Sequence, residues 1–181
     1  MTDALTPEDM SPELLKVAAR ARCEPDAQFH SLAHLIDVPA LRRAFDRLRP
    51  NKAVGVDGVT KEAYGQDLET NLQGLHARLR EKRYRHQPIR RTYIRKENGK
   101  MRPLGISATE DKIVQAALQE LLAAVYEQDF LPCSYGFRPG RSAHDAIRTF
   151  TAEADRGGAN WVLEADITGF LDHWSHYTPF H

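Results

Sequence analysis

RRTYIRKENGKMRPLGISATEDKIVQAAL, residues 90–118, decides the fold, because two different periodicities meet in it. Ile89 to Ile94 and Met101 to Ile106 are short β-compatible runs separated by KENGK, and Asn98-Gly99 between them is a strong hairpin signal. After Pro103 and Gly105 the pattern changes. From Ser107, SATEDKIVQAALQELLAAVY takes helical period, with Val114, Leu118, Leu121, Leu122 and Val125 on one face. Ser107 and Glu110 are spaced as a capping box. A hairpin running straight into a long amphipathic helix places the chain in the α+β class.

On the amino-terminal side, VPALRRAFDRLRP repeats Leu41, Ala44, Phe45 and Leu48 at helical spacing, between Pro39 near its start and Pro50 as its stop. Residues 1–37 before it are weakly patterned and read as an extension carrying one short helix. NKAVGVDGVT, residues 51–60, is a turn-rich loop, and Thr60 is placed to cap a longer helix with the stripe Tyr64, Leu68, Leu72, Leu75 and Leu79. On the carboxyl-terminal side the loop DFLPCSYGFRPGR ends at Ser142, the expected cap of a helix burying Ile147 and Phe150, with Gly157-Gly158 as its break. Trp161 to Ile167 alternates Leu163, Ala165 and Ile167 against Val162, Glu164 and Asp166, the pattern of a strand. HWSHYTPFH after it has no period.

The 181 residues are 41% hydrophobic, enough to bury a core in one domain or one and a half. No apolar run approaches the roughly 20 residues a membrane crossing needs, so no membrane partner is expected. The first fifteen residues hold four acids, Asp3, Glu8, Asp9 and Glu13, and no Lys or Arg, the opposite of a signal peptide, which predicts a cytoplasmic location. Cys23 and Cys133 have no metal-ligand spacing and read as reduced, structural thiols. The net charge is zero but uneven. From Arg78 to Arg102 eleven Lys or Arg stand against two acids, Glu81 and Glu97, while the remaining residues hold fourteen cations and twenty-three acids. Such a stretch, with Arg83, Arg85, Arg90 and Arg91 at its centre, suits a polyanion; a solvated helix face is the plainer alternative.

Four blocks in order, NKAVGVDGVT, RRTYIRKENGKMRPLGISATEDKIVQAAL, SYGFRPGRSAHDAI and ADITGFLD, resemble the reverse transcriptase domain of group II intron-encoded reverse transcriptase/maturase proteins over about residues 51–172. The resemblance implies the beginning of a right-hand polymerase fold, incomplete, with a fingers-like region over 38–160 and the start of a palm at 161–181. It implies RNA-directed DNA synthesis on an RNA template with a DNA primer, or binding of intron RNA, with deoxynucleotide triphosphates as substrates. Two-metal nucleotidyl transfer needs two divalent ions, here Mg²⁺, held by several hard oxygen ligands. By resemblance Asp166 is the catalytic aspartate and metal ligand, helped by the backbone carbonyl near Ile167; a strand-end aspartate capping a turn is the structural alternative. The further carboxylates come, in relatives, from a YADD-type hairpin, and no such motif occurs in the 181 residues. The expectation is therefore a truncated copy, inactive alone, an RNA-binding remnant, or half of a split polymerase awaiting a complementing chain.

By the same resemblance Lys96 and Arg102 contact the triphosphate, with ordinary solvated hairpin charge as the alternative, and Arg138 and Arg141 lie in a loop near template and nucleotide, with a loop packed on Tyr135 and Phe137 as the alternative. Two departures stand out: Arg95 where relatives carry Pro, and Leu171 where they carry the Phe that screens the sugar 2′-hydroxyl. Past Asp172 the resemblance fades, and Asp172, His173, His176 and His181 are poorly preorganised for zinc. The triphosphate role makes a demand on the hairpin. A two-residue Asn98-Gly99 loop sends Lys96 and Arg102 to opposite faces; a three-residue loop, Glu97-Asn98-Gly99, puts Lys96, Lys100 and Arg102 on one face. Three converging cations suit a phosphate site, so the expected pairing is Ile94 with Arg102, with Gly99 at positive φ.

Overall fold

The computed structural model describes residues 10–95, 99–157 and 161–167. Its elements run α1 (Pro12–Cys23), a 3₁₀ turn (Ala33–Leu35), α2 (Val38–Arg47), α3 (Lys61–Gly65), α4 (Leu68–Arg80), β1 (Arg90–Arg95), β2 (Met101–Ile106), α5 (Thr109–Tyr126) and α6 (Ala143–Asp155). The chain divides into two compact units, residues 1–141 and 142–181. Helix and strand are both present, with β1 and β2 forming a two-stranded antiparallel sheet.

The first unit is built on α5. Leu41, Ala44 and Phe45 of α2, Tyr64, and Leu72 and Leu75 of α4 close over Ile113, Ala116 and Ala117. Further along the same helix, Leu121 and Ala124 meet Leu14 and Ala18 of α1, so the amino-terminal extension contributes a packed helix. Caps fix the starts: the Ser11 hydroxyl accepts from the Leu14 amide at 3.4 Å, and Asp37 from the Ala40 amide at 2.8 Å.

Three expectations about helices change. Thr60 does cap, accepting from the Ala63 amide at 3.1 Å, but α3 stops at Gly65 and α4 begins anew at Leu68. Phe45 lies where a side chain on Gly65 would stand, 3.2 Å from an added Cβ, and the Asn71 side chain donates to the Tyr64 carbonyl at 2.9 Å, closing the break. The Ser107–Glu110 capping box is not formed: Ala108 is the N-cap with no side-chain bond. Glu110 is drawn instead to Arg78 and Tyr64. The buried face of α5 is also shifted. Leu121 is buried, but Leu118 and Leu122 are exposed, and the face against α1 and α2 is made largely of alanines, which let helices approach closely.

In the second unit, Ser142 and Asp145 form the full capping box of α6, with the Ser142 amide donating to Asp145 at 2.8 Å. That bonding, with Arg148 beside it, holds the Asp145 carboxyl below its ordinary pKa. Ile147 and Phe150 are exposed rather than buried. Residues 161–167 form no strand; the segment has no ladder partner among the described residues, and Trp161 and Leu163 are almost fully exposed. A β-compatible sequence becomes a strand only when another strand takes its amides and carbonyls. Both cysteines are free and exposed, not packed. Among the described residues no helix is long and apolar enough to cross a membrane.

Candidate nucleic-acid interface

The hairpin has the three-residue-loop register. Arg95 pairs with Met101, Ile94 with Arg102 and Thr92 with Leu104, and Gly99 has φ +78°. Cross-strand partners point to the same side, so Arg102 shares its face with Ile94, Thr92 and Arg90. Lys96 and Leu171 lie outside the described residues, as do Glu97, Asn98 and the Asp172, His173, His176, His181 cluster.

What holds the hairpin's root is a pair of acids on the first turn of α5, Asp111 buried and Glu110 half-buried. Asp111, 4% exposed, accepts from the Tyr84 hydroxyl and from the Gln87 backbone amide at 3.0 Å. Glu110 takes both ends of the Arg78 guanidinium, at 2.9 and 2.6 Å, and the Tyr64 hydroxyl at 3.2 Å. Burial, and then the neighbouring carboxylate, pushes both tyrosine hydroxyls well above their usual range. These bonds tie the segment leading into β1 onto α5. None was signalled by sequence beyond the acids in the helix's first turn.

The cationic stretch is thereby sorted. Arg78 is held by Glu110, which raises its pKa further, and Arg83 pairs with Glu81. Arg85 donates to the Lys82 and Tyr84 carbonyls and has no acidic partner among the described residues. Arg90, Arg91, Arg95 and Arg102 are exposed and have no acidic partner among the described residues. Among the described residues the arginines of this stretch without an acidic partner lie mostly on the hairpin, with Arg80 and Arg85 ahead of it.

The SYGFRPG loop uses its arginines inwardly. Arg138, its side chain 10% exposed, pairs with Glu127 at 3.0 Å, donates to the Leu131 and Ser134 carbonyls and stacks on Phe130 at 5.0 Å. Arg141 covers Tyr135 and donates to the Pro132 carbonyl. Both shape the loop. Between residues 51–62 and the start of α5 a cavity of about 490 Å³ opens, with Lys52, Lys61 and Lys112 in its lining. Lys61 donates to the Asp46 and Leu48 carbonyls and Lys112 to that of Ala53, so two of these lysines fasten the loop rather than await an anion. Gly55 is required in that seam: a Cβ there would fall 2.5 Å from the Ala108 Cα.

Asp166 and Ile167 are exposed in the irregular segment 161–167 of the second unit. Among the described residues no three of His, Cys, Asp and Glu converge. One aspartate is a single ligand where Mg²⁺ asks for near-octahedral oxygens, so the described residues do not by themselves seat the ion.

The comparisons give the class. Residues 94–180 match the model of the family "Reverse transcriptase (RNA-dependent DNA polymerase)". The match runs beyond Asp172, where the resemblance was expected to fade. The chain is 38% identical to Protein YkfC of Escherichia coli over 168 residues, 89% of this chain and 44% of that protein. It is 39% identical to the Group II intron-encoded protein LtrA of Lactococcus lactis over 136 residues, 75% of this chain and 22% of that protein. Nuclear intron maturase 1 of Arabidopsis thaliana is 36% identical over 64 residues, 35% of this chain and 9% of that protein. The chain carries part of an intron-encoded reverse transcriptase/maturase sequence and spans less than half the length of these relatives.

Proposed function

We propose that these residues are the nucleic-acid and nucleotide grip of a group II intron RNA-directed DNA polymerase. Residues 38–160 are its fingers-like region and 161 onward the start of a right-hand palm. Arg102, with Lys96 and Lys100, closes on the triphosphate of a deoxynucleotide. Arg85, Arg90 and Arg91 hold the RNA template with its DNA primer, while Arg138 and Arg141 keep the SYGFRPG loop in shape beside it. Asp166, with the Ile167 carbonyl, gives one ligand to Mg²⁺, and Leu171 borders the sugar. The location is cytoplasmic.

The observation carrying this reading is the hairpin register. Ile94 opposite Arg102, with Gly99 in the left-handed region, is the pairing that a joint phosphate role requires. The plainer alternative, a solvated helix face, fits the end of α4 but does not describe the four hairpin arginines, which stand on strands.

The 181-residue polypeptide contains one of the carboxylates a metal pair needs, which favours RNA binding without polymerisation unless a complementing chain supplies the rest. On a primed RNA template with Mg²⁺ it should not extend the primer, yet should bind RNA with an affinity that falls steeply with salt. Template-dependent extension lost in Asp166→Ala would show that these residues catalyse unaided. Absence of RNA binding at low salt would remove the reading altogether.

A further inference from the structure

The hairpin has a second face. On the side opposite Arg102, alternation and pairing align Arg91, Tyr93 and Arg95 across from Gly105, Pro103 and Met101. Tyr93 is 55% exposed and Met101 57% exposed; among the described residues Ile89 lies over Gly105 at one end of this face, and the Tyr93–Met101 end stays half open to solvent. The arginines on either side of Tyr93 have no acidic partner among the described residues. A strand rise of about 3.3 Å per residue sets each of them about 7 Å along the strand from Tyr93.

Tyr93 stands across from Pro103, yet its ring stays half in water between two guanidinium groups that have no acidic partner among the described residues. It neither joins the core nor completes an ion pair. It does have the two parts a single-stranded nucleic-acid groove needs, a π-face for a base and cations for the phosphates on either side. We propose that this face is a stacking platform for single-stranded nucleic acid, with Tyr93 on an unpaired base and Arg91 and Arg95 on the flanking phosphates. The proposal rests on the nucleic-acid reading above and adds to it a face distinct from the one assigned to the triphosphate. The local excess of positive charge around β1 favours this occupant over a protein surface.

The test uses the whole 181-residue chain and a fluorescein-labelled oligoadenylate RNA of about 20 nucleotides, single-stranded or annealed to its complement, read by anisotropy at low salt. Tyr93→Ala should weaken single-strand binding roughly five- to hundredfold, Tyr93→Phe should keep it within about twofold, and duplex binding should not respond to either. Arg95→Ala should make the logarithmic salt slope shallower by about 0.7. Tyr93→Ala binding within about twofold of the parent, while Arg85→Glu/Arg90→Glu abolishes binding, overturns the platform and leaves the nucleic-acid reading standing. A parent chain that binds no RNA overturns both. A change of oligomeric state in Tyr93→Ala, by sedimentation and without loss of RNA affinity, marks a protein interface and overturns the platform.

Discussion

The arginines around α5 and those of the hairpin are chemically identical and do opposite things. Arg43 and Arg47 converge on Glu120, which is 1% exposed, and Arg138 closes on Glu127. Arg90, Arg91, Arg95 and Arg102 stand on an exposed two-stranded ribbon with no acidic partner among the described residues. The difference lies in what the fold brings near each residue. A buried acid turns an arginine into a structural clamp, whereas an arginine left unmatched on a small surface element remains available to an outside anion. Stability and binding should therefore separate by region.

The largest stability effect is expected at Glu120. Glu120→Ala leaves two partly buried guanidinium groups uncompensated and should cost about 3 kcal/mol, lowering Tm by roughly 6–12 °C in a thermal melt. RNA affinity measured below the melt should not change. A near-neutral Glu120→Ala would mean that the α5 clamp is no different from surface charge. Next comes Arg138→Ala, which removes an ion pair, two bonds to carbonyls and a ring contact, for about 2 kcal/mol. Its effect should concentrate in the loop, as faster proteolysis between residues 130 and 141.

Tyr84→Phe takes a donor from the buried Asp111 carboxylate and should cost about 1.5 kcal/mol. The pH dependence has a definite sign. Burial, then the bond to Asp111, raises the Tyr84 hydroxyl above its unfolded value near 10, so the folded state keeps a proton that the unfolded state loses. This contribution is complete below about pH 10 and is lost as pH rises toward the folded value. Urea unfolding at pH 8, 9.5 and 11 should show a steeper alkaline decline in the parent than in Tyr84→Phe. Equal slopes would count against the clamp.

How much of this could be read beforehand depends on whether the deciding interaction is local. The hairpin itself was legible because Asn98-Gly99 is a local turn signal, but both candidate loops put Gly99 at positive φ, and its register was chosen on the proposed phosphate role rather than on the turn. Gly99→Ala, forced left-handed in open space, should therefore destabilise the ribbon by about 1 kcal/mol, visible as faster amide exchange across the β1–β2 pairs. The position of α5 was legible, but its buried face was not. Leucines attract attention as core residues, whereas α1 and α2 needed alanines to come close. Glu110 looked like a cap because Ser107 is three residues away, and only the fold brings Arg78 and Tyr64 to it. Residues 161–167 have strand sequence but no partner among the described residues, and pairing is not written in one segment. Of the candidate site, the cationic stretch was visible as charge, but its division into clamps and free cations was not.

The smallest stability effect belongs to the residues with the largest expected binding effect. Arg90→Glu and Arg102→Glu should each change stability by no more than about 0.5 kcal/mol, because both side chains are exposed and neither pairs with an acid among the described residues. Removing a cation from a crowd of like charges also relieves repulsion, so at low salt Tm should hold or rise slightly, and the difference should vanish as salt shortens the screening length. Binding should move the other way. On the proposed function Arg90→Glu removes an RNA phosphate contact, so the logarithmic salt slope for single-stranded RNA should become shallower by about 0.7, with affinity falling most at the lowest salt, whereas Arg102→Glu should weaken triphosphate binding instead. Measured side by side with Glu120→Ala, the two classes should cross, one losing stability and keeping RNA, the other losing RNA and keeping stability. Reversals that lower Tm by several degrees would place the hairpin arginines among the clamps and erase the distinction between the two regions.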